Sequence, residues 1–243
     1  MTRILVALVA VNLMAQTPWV ELFDGRSTEG WRAPVTAGME KENWRVEDGA
    51  LRPVGGNQAI DLWTVKDYRS FELEFEFKVE AGANGGIKYL VQRGVALRFR
   101  NGKAPPLPAA KSEALPGDLY SEGSEGLEYQ IVDDAAPEAR DPKRRSGAMY
   151  ALVAPDDPPA VGPGVFHTGR IVVKGDEVEH YLDGKRVVRM RLGSAEMEAA
   201  FDACKERRVK RLRPLEKRVT PIAITHHGSA VWYRNVRVRK LGE

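Results

Sequence analysis

The sequence has almost no cysteine and no large excess of charge of either sign. Its single cysteine, Cys204, cannot form an internal disulfide, so the stability of the fold must come from its hydrophobic core. We assign no catalytic role to Cys204. The formal net charge of the 243 residues is only +3, with 37 basic and 34 acidic side chains interspersed along the chain. This composition gives no indication of a nucleic-acid partner.

Long hydrophobic runs are also missing, apart from one at the N-terminus. A short cationic start, Met1 to Arg3, precedes an apolar run over residues 4–15 that is too short to span a bilayer comfortably. This pattern is typical of a secretory signal peptide, so we predict a signal over residues 1–15 and export to the periplasm or the extracellular medium. A retained membrane anchor is the alternative. The remaining residues, 16–243, suit a single domain.

The rest of the chain consists mainly of short segments in which apolar and polar residues alternate. Over residues 71–79, five apolar residues share one face and four charged residues share the other, which predicts a half-buried strand. Asp-Gly and Gly-Asp pairs predict hairpin turns, and residues 169–188 read as a meander. We expect residues 102–123 to form a loop and residues 147–153 to form a short strand. The sequence therefore predicts an all-β sandwich.

One window alone predicts a helix, at residues 194–212. Met197, Phe201 and Cys204 recur there at helical spacing, and Ser194 is suited to the N-cap. The basic end of this window, residues 205–211, is predicted to be a solvated helix face rather than a binding patch.

Residues 125–134 form the strand on which the functional argument depends. Leu127, Tyr129 and Ile131 fall on one face, whereas Glu128 and Gln130 fall on the other. Alternation places the Glu128 carboxylate and the Gln130 amide roughly 7 Å apart on one side of the sheet, a spacing that a small polar ligand can bridge. The simpler interpretation is the solvated outer face of an ordinary sandwich strand.

A second strand, over residues 86–91, contributes a lysine. Ile87, Tyr89 and Val91 share a face, which leaves Lys88 on the opposite one. The glycine-rich run before it lacks P-loop spacing and is not followed by a helical pattern, so we reject a nucleotide site.

The histidines and turn aspartates are less informative. His180 shares the face of its apolar neighbours, which favours a core histidine. His226 and His227 are adjacent at the end of a strand, so they point to opposite faces and at most one can join a given site. Asp24 and Asp48 each precede a glycine, which is far more often turn chemistry than metal binding.

Six segments, taken in order, resemble the 3-keto-disaccharide hydrolase domain family, and the resemblance covers nearly the whole mature chain. The segments are residues 22–31, 84–89, 126–134, 146–150, 178–184 and 227–236. The resemblance implies a concanavalin-like jelly-roll β-sandwich of two antiparallel sheets. It also implies an exported enzyme that acts on sugars whose C3 hydroxyl has been oxidised to a ketone.

The resemblance carries site residues with it. Lys88, Glu128 and Gln130 match polar positions on the family's concave sheet, and His227 matches the histidine of its usual Gln-Asp-His-Gly segment. The candidate catalytic residues are therefore Glu128, His227 and Lys88. The candidate substrate-binding residues are Gln130, Tyr89, Asp133 and Trp232.

A ketone at C3 acidifies the C2 proton, so a base can remove it and the enolate can expel the substituent at C1. In this hypothesis Glu128 or His227 is the base, Lys88 or a divalent metal ion stabilises the enolate oxygen, and Gln130 orients sugar hydroxyls. The metal question stays open at this point. The alternatives are a non-catalytic carbohydrate-binding module and a structural domain that docks to another protein.

Three places depart from the family pattern. Thr225 and His226 stand where Gln-Asp is usual, Phe166 and His167 stand where Trp-Asn is frequent, and Asn84-Gly85-Gly86 replaces Asn-Ser-Gly.

Overall fold

The computed structural model describes residues 17–54, 58–99 and 119–242, so the predicted signal at residues 1–15 lies outside it. The strands are β1 (Val20–Glu21), β2 (Trp31–Arg32), β3 (Trp44–Glu47), β4 (Ala50–Pro53), β5 (Gln58–Ile60), β6 (Leu62–Thr64), β7 (Phe71–Val79), β8 (Asn84–Phe99), β9 (Leu119–Val132), β10 (Phe166–Lys174), β11 (Glu177–Leu182), β12 (Lys185–Arg191), β13 (Ala223–Ile224) and β14 (Val231–Lys240). The helices are α1 (Glu40–Asn43), α2 (Ala195–Ala203) and α3 (Arg207–Lys210), with 3₁₀ turns at Pro137–Arg140 and Pro142–Arg144.

The strands form two sheets, as the alternation predicts. In the described part of the chain, the large sheet has the order β12-β11-β10-β7-β14-β4-β3, with β1 also beside β14. The small sheet has the order β2-β6-β13-β8-β9-β5. All pairs of named strands are antiparallel except β5 with β9, which run parallel. The predicted all-β sandwich is therefore confirmed, with one parallel pair added at an edge.

The core lies between the sheets and follows the period of two in the strands. On β7, the five alternating residues from Phe71 to Val79 are all buried, and the apolar residues of β8 and β9 face them. Phe75 of the large sheet meets Tyr129 of the small sheet edge-to-face, with ring centroids 5.3 Å apart. This packing fixes which faces of β8 and β9 remain available for polar side chains.

His180 is a core histidine, as its position in β11 predicts. It is fully buried, and its Nδ1 lies 3.0 Å from the Gly147 carbonyl oxygen. Because a carbonyl can only accept, Nδ1 carries the proton, and Nε2 accepts a 2.8 Å hydrogen bond from the Tyr89 hydroxyl. Burial lowers the pKa of His180 to about 4, so the ring is neutral at pH 7.

The helical window is confirmed in part, because it divides into two helices. The Ser194 hydroxyl accepts a hydrogen bond from the Met197 backbone N–H and caps α2, as predicted. The chain leaves helical geometry at Cys204 and resumes it in the single turn of α3. None of the helices in the described residues is long and apolar enough to cross a membrane.

Two other local predictions are wrong. Residues 147–153 form a turn held by isolated bridges from Met149 to Tyr129 and to Val153, rather than a strand. Ala151 has a positive φ of 60°, which a regular strand does not accommodate. Residues 119–123, expected in a loop, continue β9 because they pair with both β8 and β5.

Candidate active site

A cavity of about 360 Å³ lies on the outer face of the small sheet. Strands β8 and β9 form its floor, and the turn at Tyr150 and the segment around α3 contribute to its walls. Its lining residues are Asn84, Lys88, Glu125, Gly126, Glu128, Gln130, Tyr150, Glu206, Arg208, Val209, Leu212 and His227. Four residues predicted from the sequence therefore line one cavity: Lys88, Glu128, Gln130 and His227.

The register of the small sheet brings these four residues together. Lys88 on β8 is paired with Glu128 on β9, and Gly86 is paired with Gln130, so the side chains of Lys88, Glu128 and Gln130 face the same side of the sheet. Beyond β13 the chain continues alongside β8, where the Thr225 N–H donates to the Gly86 carbonyl at 3.0 Å. This contact carries His227 to the same floor.

Glu128 is held between two basic groups without a hydrogen bond to either. Its Oε2 lies 3.8 Å from Lys88 Nζ, and its Oε1 lies 3.9 Å from His227 Nε2. Glu128 is only 8% exposed, and its Oε1 is buried without a hydrogen-bond partner among the described residues. Since Glu128 lines the cavity and Oε1 is buried, Oε2 is the carboxylate oxygen that faces the cavity.

The charge of Lys88 sets the ionisation of Glu128. Burial raises the pKa of the Glu128 carboxyl, but the attraction of Lys88 and the proximity of His227 outweigh burial and hold this pKa below its usual value. Glu128 is therefore a carboxylate at neutral pH. A buried, ionised carboxylate with an unsatisfied oxygen is the arrangement expected of a base rather than of a structural ion pair.

The absence of a side chain at Gly86 leaves the space that the Glu128 carboxylate occupies. A Cβ at position 86 would lie 2.4 Å from Glu128 Oε1 and 2.9 Å from the Tyr129 carbonyl oxygen. Since such distances are far shorter than van der Waals contact, a side chain at position 86 would displace the carboxylate. Gly86, which matches the glycine of the family's Asn-Ser-Gly segment, is thus required to leave room for the Glu128 carboxylate.

Asp61, which was not predicted from the sequence, accepts hydrogen bonds from two backbone segments, one beside Lys88 and one beside His227. Lys88 Nζ donates to the Ser124 carbonyl at 2.9 Å, and the Ser124 N–H donates to Asp61 Oδ2 at 2.8 Å. The other oxygen of Asp61, Oδ1, accepts from the His226 N–H at 2.9 Å, next to His227 in the chain. This buried carboxylate therefore fixes the backbone on both sides of Glu128.

The two adjacent histidines point to opposite faces, as predicted. His227 lines the cavity, and 43% of its side chain is exposed. His226 is buried, with its ring edge-on to Trp44 and its Nε2 3.0 Å from the Val54 carbonyl oxygen. Its Nδ1 accepts from the Gly228 N–H at 3.1 Å, which anchors the turn after His227.

Gln130 is oriented by a neighbour on β8. Its Nε2 donates to Asn84 Oδ1 at 3.0 Å, and both residues line the cavity. The Gln130 side-chain oxygen remains available to a ligand hydroxyl in this geometry. The pair adds neutral hydrogen-bonding groups beside the charged ones, a combination suited to a sugar.

Residues 18–239 match the family model of the 3-keto-alpha-glucoside-1,2-lyase-like domain. The chain belongs to this family. A relative from Bacteroides thetaiotaomicron named 3-keto-disaccharide hydrolase is 29% identical over 247 residues, which cover 92% of this chain and 78% of the relative.

Solved structures support the fold of this lyase-like domain. A proposed glycosyl hydrolase from Parabacteroides distasonis, solved at 1.70 Å, has a TM-score of 0.71 and 23% identity, covering 92% of this chain and 94% of that one. A second protein of the same description and organism has a TM-score of 0.55 and 21% identity, covering 87% and 99%. At these identities the likeness establishes the β-sandwich alone.

Three of the predicted substrate contacts do not lie at the cavity of this family member. Tyr89 is 0% exposed and points into the core, where it hydrogen-bonds His180. Asp133 is buried and accepts from the N–H groups of Gly82 and Ala135, so it holds a turn. Trp232 lies on the large sheet, where the Lys78 ammonium sits 4.5 Å from its ring centroid. The structure therefore does not bring these three residues together with Glu128, because alternation and sheet order direct their side chains elsewhere.

The walls of the cavity contain residues that sequence reasoning missed. Tyr150 comes from the turn that replaces the expected strand, and Glu206, Arg208, Val209 and Leu212 come from the segment around α3. The prediction of a solvated basic face holds for Arg207 and Lys210, which are exposed, but Arg208 lines the cavity. No local pattern could place α3 over β9, since their contact depends on the tertiary fold.

The departures from the family pattern lie at different distances from the site. Thr225 is buried beside Gly86, and its hydroxyl oxygen has no hydrogen-bond partner among the described residues. His167 is on the large sheet, where its Nδ1 lies 2.8 Å from Asp183 Oδ2, and it does not line the cavity. The changes at Thr225, His226 and Gly85 therefore adjoin the candidate catalytic residues or Gly86, whereas the change at His167 lies on the other sheet.

The donor set does not fit a divalent metal ion. Within the described residues, no group of three or more His, Cys, Asp or Glu side chains could hold one. Glu128 and His227 supply two donors at most, and the Lys88 ammonium already lies 3.8 Å from the carboxylate. We therefore derive no step through a metal.

Proposed function

We propose that this protein is a carbohydrate-active enzyme that cleaves 3-keto-glycosides by deprotonation at C2, elimination at C1 and hydration. Its membership of the 3-keto-alpha-glucoside-1,2-lyase-like family and its relative named 3-keto-disaccharide hydrolase support this proposal. The observation that carries it is the ionised Glu128, with one oxygen unsatisfied and the other facing a cavity next to Lys88.

The first step is proton abstraction next to a carbonyl. Glu128 takes the C2 proton, and the electron pair of the broken C–H bond forms the C2–C3 double bond of an enolate. The developing charge on the C3 oxygen lies beside Lys88, whose ammonium stabilises it in a partly buried site. Gln130, oriented by Asn84, holds sugar hydroxyls and fixes the ring.

The second step expels the leaving group, and water then completes the net hydrolysis. The enolate reforms the ketone as the C1–O bond breaks, which leaves a C1–C2 double bond, and the departing oxygen receives a proton from His227 or from water. Water then adds at C1 and gives its released proton to His227 or to solvent, whichever protonated the leaving group, and Glu128 returns its proton to C2. The sum is one glycosidic bond broken and one water consumed, with Glu128 regenerated.

Glu128 is preferred over His227 as the base. Its carboxyl is buried and ionised, and its pKa is held below the usual value, whereas nearly half of the His227 side chain is exposed to solvent. The exposed imidazole of His227 is better suited to exchange a proton with the leaving group or with solvent.

A non-catalytic carbohydrate-binding module could use the same cavity without chemistry, so binding alone does not distinguish the two functions. The structural-domain alternative predicts a polar face without a concave pocket, and the cavity on the small sheet argues against it.

Mass spectrometry of products separates these functions. The purified protein is mixed with a 3-keto-glucoside or with its unoxidised parent, each with and without a chelator. We expect cleavage of the keto sugar alone, unaffected by chelator because the donor set does not fit a metal. Cleavage of both sugars would indicate an ordinary glycosidase, and binding without any product would favour the binding module.

Export is a further part of the proposal. It depends on the cationic start and the apolar run over residues 4–15, which lie outside the described residues. N-terminal sequencing of the protein recovered from the periplasm or the medium should begin at Gln16. Recovery only in the cytoplasm with Met1 retained would contradict this expectation.

A further inference from the structure

The acidic side chains of the cavity wall are neutralised by arginines that do not line the cavity. Glu125 is only 9% exposed, and its two oxygens are divided between two guanidinium groups. Oε2 lies 2.6 Å from Arg93 Nε, and Oε1 lies 3.0 Å from Arg211 Nη2. A carboxylate engaged by two arginines contributes little negative potential to the cavity in front of it.

Glu206 is neutralised in the same way. It forms an ion pair with Arg144, whose guanidinium also lies 5.5 Å from the centroid of the Tyr150 ring. Tyr150 and Glu206 both line the cavity, whereas Arg144 does not. Arg144 therefore contacts both of these wall residues without lining the cavity itself.

Arg208 differs from these arginines because it lines the cavity itself. It is exposed, and no carboxylate pairs with it within the described ranges of the chain. Lys88 lies 3.8 Å from Glu128, and Glu125 and Glu206 are paired with arginines outside the lining, so Arg208 is the one lysine or arginine of the described lining that is left without an acidic partner. An exposed guanidinium without an acidic partner in a concave surface attracts ligands of the opposite sign.

We propose that Arg208 forms a subsite for an anionic group on the substrate, either a carboxylate or a phosphate ester. The keto-bearing ring lies over Lys88, Glu128 and His227, and the remainder of the substrate lies against the α3 wall. A guanidinium with free donors binds a planar or tetrahedral oxyanion through two hydrogen bonds. This subsite deepens the proposed function and rests on it for the identity of the reacting ring.

The chain supplies a matched control one residue away. Arg207 is also exposed and lies on the same helical turn, but it does not line the cavity. Arg208→Gln and Arg207→Gln remove the same charge from the same helix, so they alter the net charge and the helix propensity equally. Only the first removes the guanidinium that faces the cavity.

The first measurement is direct binding of unreactive probes by titration calorimetry or NMR, with D-glucuronate, glucose 6-phosphate and glucose. We expect the charged probes to bind about tenfold more tightly than glucose, since a hydrogen-bonded pair with a charged group is worth about that ratio. Arg208→Gln should abolish this preference, and Arg207→Gln should retain it. Raising the salt concentration should weaken the charged probes alone. A preference for glucuronate over glucose 6-phosphate, or the reverse, identifies the anion.

The second measurement compares kcat/KM for 3-keto-glycosides with a charged and with a neutral leaving unit. The subsite predicts a preference for the charged one that falls about tenfold in Arg208→Gln and not in Arg207→Gln. Cleavage of both substrates with equal kcat/KM in all three proteins would overturn the subsite and leave the proposed function intact. Arg208-dependent binding of the charged probes without cleavage of any keto-glycoside would overturn the proposed function and keep the anion site.

Discussion

The outer faces of the two sheets have the same alternating pattern in sequence, but their carboxylates are paired differently in the structure. On the large sheet, three glutamates of β7 each meet arginines on the neighbouring strands. Glu72 pairs with Arg170 at 2.9 Å and with Arg239, Glu74 pairs with Arg237 at 2.8 Å, and Glu76 pairs with Arg234 at 2.7 Å. Every one of these carboxylates is satisfied by a direct ion pair.

On the small sheet, Glu128 has basic neighbours that do not reach it. Lys88 and His227 stop at 3.8 and 3.9 Å, and one carboxylate oxygen has no hydrogen bond among the described residues. Lys88 instead gives its hydrogen bond to the Ser124 carbonyl. A fully paired face stabilises the sheet, whereas the incompletely paired one leaves the carboxylate that we propose as the base without a direct ion pair.

The largest expected effect comes from removing the unsatisfied carboxylate. Glu128→Gln preserves size but cannot accept a proton, so kcat/KM for a 3-keto-glycoside should fall about a thousandfold with the thermal midpoint nearly unchanged. Glu74→Gln is the control on the opposite face, because it removes a paired carboxylate of the same type. It should leave kcat/KM unchanged. Equal activity in Glu128→Gln and the native protein would remove Glu128 from the mechanism.

The second effect is on the layer between the two faces, and it appears as a pH dependence of stability. The pKa of His180 is about 4 in the folded protein and 6.5 for an ordinary histidine, so the unfolded chain binds the proton first. Stability should be fully present above pH 6.5 and decrease by roughly 3 kcal/mol as the pH falls to 4. Urea unfolding at several pH values measures it.

A variant separates this core titration from the chemistry of the site. His180→Gln should remove the pH dependence between 6.5 and 4 while lowering stability at pH 7, because the buried hydrogen bonds of His180 are disturbed. Glu128 stays mostly ionised down to at least the usual glutamate pKa of 4.5, since its own pKa is held below that value. Activity of the still-folded fraction should therefore persist there. An unchanged slope in His180→Gln would show that other groups cause the acid sensitivity.

The third effect concerns the space beside Gly86 that the Glu128 carboxylate occupies. Gly86→Ala places a methyl group where the Glu128 Oε1 lies, so the carboxylate must move by about 1 Å or more. A misplacement of that size can lower kcat about a hundredfold. Gly162→Ala is the control, because a Cβ at position 162 would meet no atom within 4 Å. Retained kcat in Gly86→Ala would mean that the Glu128 position is not critical.

The sequence predicts which residues share the outer face of each sheet, because this follows from the period of two in a strand. It does so equally well for the face whose carboxylates are paired and for the face that carries Glu128. Alternation correctly places Glu128 and Gln130 on one side of β9, and the opposite facing of His226 and His227. It also fixes His180 in the core. These successes concern the direction of a side chain relative to its own strand, which is a local property.

The failures concern which strand or turn lies next to which. Trp232 was a candidate for substrate binding, but β14 belongs to the large sheet, so its ring does not lie at the cavity on the small sheet. Arg208 and Tyr150 reach the cavity through α3 and a turn, whose positions depend on long-range packing. The support that Asp61 gives to Ser124 and His226 joins residues far apart in the chain. No periodicity encodes such contacts.

The smallest effect measures how much the satisfied face contributes. Arg237 approaches Glu74 with Nε at 3.1 Å and Nη2 at 2.8 Å, but both side chains are partly exposed, so water competes for the pair. A double-mutant cycle with Glu74→Gln and Arg237→Gln should give a coupling energy below about 1 kcal/mol. Activity should be unchanged in all three variants, because neither Glu74 nor Arg237 lines the candidate active-site cavity. A coupling of several kcal/mol would mean that the large sheet depends on its ion pairs rather than on its buried face.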